Sequence, residues 1–225
     1  MIRAVVFDFD GVIANSEPNH FRAYRDVLAE AGVTLTEADY YARYLGYDDL
    51  GAFMQIAADS AVAWNPARVS DLVRRKAERM EDLERDHSVL FPGAEAAIRR
   101  LAAVWPLAIA SGALRQEITR VIECEQLASC FAVVVAAEDT RASKPAPDPY
   151  LRAVDGLRAV VGGPLEAADC VAIEDSRWGL ESAKAAGLRT IALTHTYPAA
   201  ALQGVAEVVV ASLDHLTAEF LSKLG

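Results

Sequence analysis

The residues most able to do chemistry lie in four short groups. Asp8 and Asp10 stand two apart in Asp8-Phe9-Asp10-Gly11-Val12, directly after the apolar run Ala4–Phe7. At that spacing both carboxylates can face one side of the chain. Two acids held close repel each other unless a cation neutralises them or one takes a proton. Gly11 permits the tight turn that follows. Ser111-Gly112 follows the run Leu107–Ala110, offering a hydroxyl and backbone N–H groups where a helix would begin, which is an anion site. Lys144, one of four lysines, sits in the proline-bracketed stretch Ser143-Lys144-Pro145-Ala146-Pro147-Asp148, whose stiff backbone would fix its position. Glu174-Asp175-Ser176 follows Cys170–Ile173. Each group also has an ordinary reading: solvated acids in a turn, a helix cap, a surface lysine. Together they describe a site for a divalent cation and a phosphate group, provided one scaffold brings them to one place.

The scaffold is legible in the apolar runs Ala4–Phe7, Leu107–Ala110, Phe131–Val135, Cys170–Ile173, Thr190–Leu193 and Val208–Val210. None alternates with polar residues, so strands buried on both faces are predicted, as in a parallel sheet covered by helices. Helix-like stretches separate them: Gly93–Ala103, Glu117–Cys124, Pro147–Val160, and Ser176–Ala186 ending at Gly187. The alternation implies right-handed βαβ units and a Rossmann-like, doubly wound α/β core. Ligands in such sheets bind beyond the carboxyl ends of the strands, where all four groups fall.

From Ser16 to His87 the pattern changes, and no strand is predicted. Apolar residues recur at helical spacing: Phe21, Tyr24, Val27, Leu28 and Ala31, then Tyr40, Tyr41, Tyr44 and Leu45, then Leu50, Phe53, Met54 and Ala57, then Val69, Leu72, Val73 and Met80. A helical subdomain over 15–88 is therefore expected, inserted into a core of 1–14 and 89–225, with crossings near Ala14–Glu17 and Ser88–Pro92.

With these motifs in order, the chain resembles the haloacid dehalogenase (HAD) superfamily, in the branch with a helical cap after the first motif. The resemblance rests on Asp8-Phe9-Asp10-Gly11-Val12-Ile13, Ser111, Lys144-Pro145-Ala146-Pro147-Asp148, and Glu174-Asp175-Ser176 with Gly179, Ala183, Ala186 and Gly187. It implies that Asp8 attacks phosphorus and forms an aspartyl-phosphate, while Asp10 serves as general acid and base. It also implies that Ser111, Gly112 and Lys144 hold the phosphoryl oxygens. Mg²⁺ would be held by Asp8, the Asp10 carbonyl and Asp175, with Glu174 direct or through water. The chemistry agrees: a carboxylate approaching a phosphate dianion is repelled, and a hard cation with a lysine offsets that repulsion.

Dehalogenases of this family lack the second aspartate, which Asp10 supplies here, and relatives that cleave phosphonates carry a Schiff-base lysine in the cap. The cap's one lysine is Lys76. A β-phosphoglucomutase-like enzyme is the main alternative to a phosphatase, because Asn19-His20-Phe21-Arg22-Ala23-Tyr24 looks like the mutase pattern, with His20 helping to order Asp10. Mutases grip a second phosphate with a basic cap loop. The matching loop, Tyr44-Leu45-Gly46-Tyr47-Asp48-Asp49-Leu50, has no basic residue, although Arg43 precedes it. A phosphatase is expected. The cap would close over Asp8, with Tyr44, Tyr47 and Leu50 facing substrate or the tyrosines packing the cap against the core, and Arg115 a further anion contact. A phosphoacceptor regulator uses similar residues, but Asp10 and the helical insertion argue against it. A retired binding module would not need every motif residue intact.

Composition bounds the partners. The 225 residues carry 32 acidic and 22 basic side chains, a formal charge of −10, without a basic cluster for nucleic acid. A small phosphorylated metabolite, such as a sugar phosphate, is the expected ligand. Cys124, Cys130 and Cys170 lack metal-ligand spacing and are expected to be buried, reduced core residues. No signal peptide or run of about 20 apolar residues is visible, so a cytoplasmic location and no membrane partner are expected.

Overall fold

The computed structural model describes residues 1–44, 47, 49–85 and 88–224. In chain order the elements are β1 (Ala4–Phe7), α1 (Glu17–Glu30), α2 (Glu37–Asp39), a π-turn (Tyr40–Tyr44), α3 (Asp49–Asp59), α4 (Pro66–Arg85), α5 (Ala94–Ala102), β2 (Leu107–Ala110), α6 (Arg115–Cys124), β3 (Phe131–Val135), α7 (Asp148–Val161), β4 (Cys170–Glu174), α8 (Arg177–Ala185), β5 (Arg189–Leu193), α9 (Ala199–Leu202), β6 (Val208–Val210) and α10 (Ala218–Ser222). They form two compact units, Met1–Asn15 with Val89–Gly225, and Ser16–Ser88.

In the first unit the six strands form one parallel sheet in the order β3-β2-β1-β4-β5-β6. The order reverses at β1, with crossovers running outward in both directions. Odd-numbered β1 residues Val5 and Phe7 join an apolar core with Ile98, Leu101, Ile118 and Leu221 of α5, α6 and α10. Even-numbered Ala4 and Val6 join the opposite core with Tyr150, Ala153, Val154 and Leu157 of α7 and Ala183 of α8. The central strands β1, β2 and β4 are buried throughout, as their unbroken apolar runs predict. The edge strands β3 and β6 are only partly buried, because each lacks a neighbour on one side.

Among its described residues the second unit is helical. Its core brings together Tyr24, Leu28, Tyr40, Phe53, Ile56 and Leu72. Two details differ from the periodicity. Leu50 and Met54 are more than half exposed, and α3 buries Ala52 and Ile56 beside Phe53 instead. Tyr41 also faces outward, while Tyr40 and Tyr44 are buried. Leu45, Gly46 and Asp48 of the expected substrate loop, and His87 near the second crossing, lie outside the described residues.

Candidate active site

Sheet register sets the geometry of the site. β1 pairs with β4 so that Val6 lies opposite Ala172 and Phe7 opposite Ile173. One step further this places Asp8 opposite Glu174, on the face occupied by α7 and α8. The Asp8 N–H donates to Ile173 O at 2.9 Å, continuing the ladder to the nucleophile candidate itself. β2 lies on the other side of β1 and ends one residue before Ser111. Four motifs from distant parts of the chain thus meet at the carboxyl edge of the sheet.

Asp8, Glu174 and Asp175 are all buried, and each offers a carboxylate oxygen within 4.8 Å of the others. Lys144 Nζ bridges Asp8 Oδ1 at 2.6 Å and Glu174 Oε1 at 2.7 Å. Burial opposes its charge, but the two carboxylates outweigh burial and hold the ammonium above its usual range. Burial, then repulsion from Glu174, pushes the Asp8 carboxyl well above the ordinary carboxylate range despite Lys144. Asp175 is pushed up to about 6 by burial and by Glu174, with a Thr196 hydrogen bond and Lys144 acting the other way. One partly exposed cation facing three buried carboxylates is an acid-rich balance. Hard oxygen donors this close fit a divalent cation such as Mg²⁺, which would relieve the repulsion that raises both aspartates.

Glu174 is engaged through both oxygens. Oε1 accepts from Lys144 and, at 3.0 Å, from the Tyr150 hydroxyl. Oε2 accepts from Asp175 N, Ser176 N and Ser176 Oγ at 3.0–3.1 Å. A carboxylate has about four acceptor positions, so Glu174 is filled by protein donors and anchors Lys144. Burial pushes the Tyr150 phenol well above its ordinary value, which keeps it a donor. Two glycines make room for these acids. A Cβ on Gly179 would lie 1.6 Å from Glu174 Oε1, and one on Gly11, whose φ is +80°, 2.1 Å from Asp175 Oδ2.

The remaining candidates divide. Asp10 is exposed, in the turn that bridges back to Ala14, and its side chain is not one of the three clustered carboxylates. Ser111 is buried, and its Oγ accepts from Ala113 N at 3.0 Å. Ser111, Gly112 and Lys144 line a common pocket of about 340 Å³. Arg115 does not line it: its guanidinium donates to Val134 O at 3.0 Å and pairs with Asp139, fastening α6 to β3. In the helical unit, Tyr44 is a core residue whose hydroxyl donates to Asp59 at 2.8 Å, while Tyr47 is half exposed. Arg43 also pairs with Asp59. His20 Nδ1 accepts from Lys76 Nζ at 2.7 Å, and buried Lys76 pairs with Asp49 at 2.8 Å.

Sequence reasoning did not single out Tyr150, Thr196 or His195. His195 stacks on Phe91, with ring centroids 4.1 Å apart, and its Nδ1 lies 2.8 Å from Gly11 O. A carbonyl only accepts, so Nδ1 carries the proton. The one signal available was that His195-Thr196 follows β5 at the same carboxyl edge.

Comparison with known proteins agrees with this geometry. The haloacid dehalogenase-like hydrolase family matches residues 5–193. Protein CbbY of Rhodobacter capsulatus is 32% identical over 203 residues, covering 87% of each chain. Hexitol phosphatase B of Escherichia coli K12 is 31% identical over 229 residues, covering 98% of this chain and 96% of its own. A crystal structure of CbbY from Rhodobacter sphaeroides with phosphate superposes with a TM-score of 0.79 at 25% identity, covering 99% of this chain and all of the other. The chain belongs to the haloacid dehalogenase-like hydrolase family. Among the described residues no helix is long and apolar enough to cross a membrane.

Proposed function

We propose that the chain is a Mg²⁺-dependent phosphatase of small phosphorylated metabolites, sugar phosphates foremost, acting through an aspartyl-phosphate on Asp8. The observation that carries the reading is the buried Asp8–Lys144–Glu174–Asp175 cluster at the carboxyl edge of the sheet. Asp8, Asp175 and the Asp10 carbonyl would hold the cation. Glu174, its oxygens taken by its own donors, would act from behind the ligands by anchoring Lys144. When bound, the cation supplies positive charge between the Asp8 carboxylate and the phosphate dianion.

An Asp8 oxygen forms a bond to phosphorus as the substrate's ester P–O bond breaks, and Asp10 gives its proton to the departing alkoxide oxygen. Asp10 then takes a proton from water as that water attacks the aspartyl-phosphate, releasing inorganic phosphate and restoring Asp8. Ser111, the Gly112 N–H and Lys144 hold the phosphoryl oxygens while charge builds on them. The helical unit serves as the substrate-selecting cap.

Hydrolysis is favoured over mutase action because the cap loop is acidic. Its Asp49 pairs with Lys76, the unit's one lysine, and leaves that ammonium occupied. The hexitol phosphatase relative and CbbY, which has been crystallised with xylulose-(1,5)bisphosphate, point to phosphorylated sugars as the substrate class. Phosphate release from p-nitrophenyl phosphate and a panel of sugar phosphates tests the reading. Activity should require Mg²⁺ and disappear in Asp8→Asn. Full activity in that variant or in excess chelator refutes it. Interconversion of β-glucose 1-phosphate and glucose 6-phosphate faster than phosphate release would make the protein a mutase.

A further inference from the structure

The pocket beside Ser111 and Lys144 has a charge inventory unlike the rest of the chain. Lys144 and Arg141 line it with the hydroxyl residues Ser111, Thr140 and Ser143 and with Gly112, and none of its described lining residues is Asp or Glu. In a chain of net charge −10, the wall of this recess carries two cations and, among the described residues, no carboxylate of its own. The Lys144 charge is answered from outside the recess by Asp8 and Glu174. Arg141 has no such partner: among the described residues it enters no ion pair or hydrogen bond. Five other arginines of this unit are tied down, Arg99 to Glu95, Arg115 to Asp139, Arg158 to Asp155, Arg177 to Glu181 and Arg189 to Glu207. Exposed Arg152 of α7 is, among the described residues, unpaired like Arg141 but lies outside the recess, so what sets Arg141 apart is its place in the pocket wall. With acids in excess, a guanidinium left unpaired beside a phosphate-holding loop calls for an external anion.

The volume supports more than one group. At about 340 Å³ the recess reaches the lower end of the range for small-molecule sites, roughly 300–1,000 Å³, and exceeds what a lone phosphoryl group fills. A guanidinium presents a planar fork that matches phosphate and carboxylate alike.

We propose that Arg141, with the Thr140 and Ser143 hydroxyls, binds a second anionic group on the substrate, a phosphate or carboxylate distinct from the phosphoryl group that reacts at Asp8. The enzyme thereby selects phosphorylated substrates with two anionic ends. This rests on the phosphatase reading and names the substrate class for the same site.

The test measures kcat/KM for two matched pairs. A hexose 1,6-bisphosphate is set against the hexose 6-phosphate, and 2-phosphoglycolate against ethylene glycol monophosphate. The first pair reports a second phosphate and the second a carboxylate. The native enzyme should favour the doubly anionic member of at least one pair. Arg141→Gln should lower that preference by about tenfold to a hundredfold, chiefly through KM, as expected for a lost charge-assisted hydrogen bond. Arg141→Lys should recover part of it. Arg152→Gln, at an exposed arginine of α7 outside the recess, should leave the preference intact. Equal efficiency on both members of each pair, or an equal loss on both in Arg141→Gln, overturns the assignment while the phosphatase reading stands. Failure to hydrolyse any of the four compounds while p-nitrophenyl phosphate is cleaved overturns the assignment alone, and failure on p-nitrophenyl phosphate and the sugar-phosphate panel as well overturns both.

Discussion

Removing one negative charge from the carboxylate cluster should stabilise the protein when no cation is present and abolish its response to Mg²⁺. The perturbation is Asp175→Asn, which keeps size and shape and can still accept the Thr196 hydrogen bond. Asp175 is buried, and its carboxyl sits at about 6 against an ordinary 3.8. That difference corresponds to roughly 3 kcal/mol of unfavourable ionisation at neutral pH. Because the folded value lies above the unfolded one, the protonated carboxyl favours the folded state. Its contribution is complete below pH 3.8 and lost as pH rises through about 6. In chelator at pH 7.5 the variant should therefore melt higher than the native protein. Each kcal/mol is worth about 2–4 °C in a chain of this length, so the ceiling is roughly 6–12 °C. Relaxation of the coupled Asp8 and Glu174 charges will reduce it. Near pH 4 the two melting temperatures should converge. Saturating Mg²⁺ should raise the native protein by RT ln(1 + [Mg²⁺]/Kd) and the variant by far less. Differential scanning fluorimetry over a pH series, with and without Mg²⁺, reads all three comparisons. A variant that melts lower than native in chelator at pH 7.5, or that keeps the full Mg²⁺ shift, would refute the electrostatic account.

Three further predictions use other parts of the structure. Gly179→Ala should lower stability by about 2–3 kcal/mol in thermal or denaturant unfolding, because its Cβ would press a fully buried carboxylate that has nowhere to move. The helix propensity gained is only about 1 kcal/mol, so a net increase in stability would contradict the packing argument. His195→Phe keeps the stack on Phe91 but removes the hydrogen bond to the Gly11 carbonyl, and should lower kcat about fivefold through the turn that carries Asp10. His195→Gln, which retains a donor, should recover much of the loss, and an unchanged kcat in the Phe variant would exclude a positioning role. Of the three cysteines expected in the core only Cys170, on the central strand β4, is buried; Cys124 at the end of α6 is exposed and Cys130 is half-buried. Burial, then the neighbouring Asp169, pushes the Cys170 thiol up to about 12. Iodoacetamide at pH 8 should modify Cys124 and spare Cys170 in peptide mass spectra; fast Cys170 labelling would show that β4 opens readily.

How much was readable before folding varies from residue to residue. The central strands could be placed because a strand buried on both faces must be apolar at every position, a local property; the edge strands β3 and β6 carry the same apolar runs although they are only partly buried. The four motifs could be placed at one edge because every strand of a parallel sheet ends on the same side. Asp8, Ser111, Lys144 and Glu174-Asp175 needed only those two rules and their residue types. The buried tyrosine of α7, the histidine after β5 and the unpaired arginine beside Lys144 carried no local mark. Tyr150 reaches Glu174 across 24 residues and His195 reaches Gly11 across 184. Such contacts depend on which strand neighbours which and in what register, and that follows from packing the whole sheet.

The helical unit shows the same division from the other side. Helical periodicity located its elements, but periodicity does not choose between two adjacent apolar positions at the margin of a buried face. Tyr44 went inward to Asp59, Tyr41 and Met54 outward, and Lys76 was buried against Asp49 and His20. The sequence alone determined the class of site, because reactive residue types at strand ends are a local signal. Tertiary structure decided which charges are paired and which are left to meet a ligand, because pairing depends on distances between residues far apart in the chain.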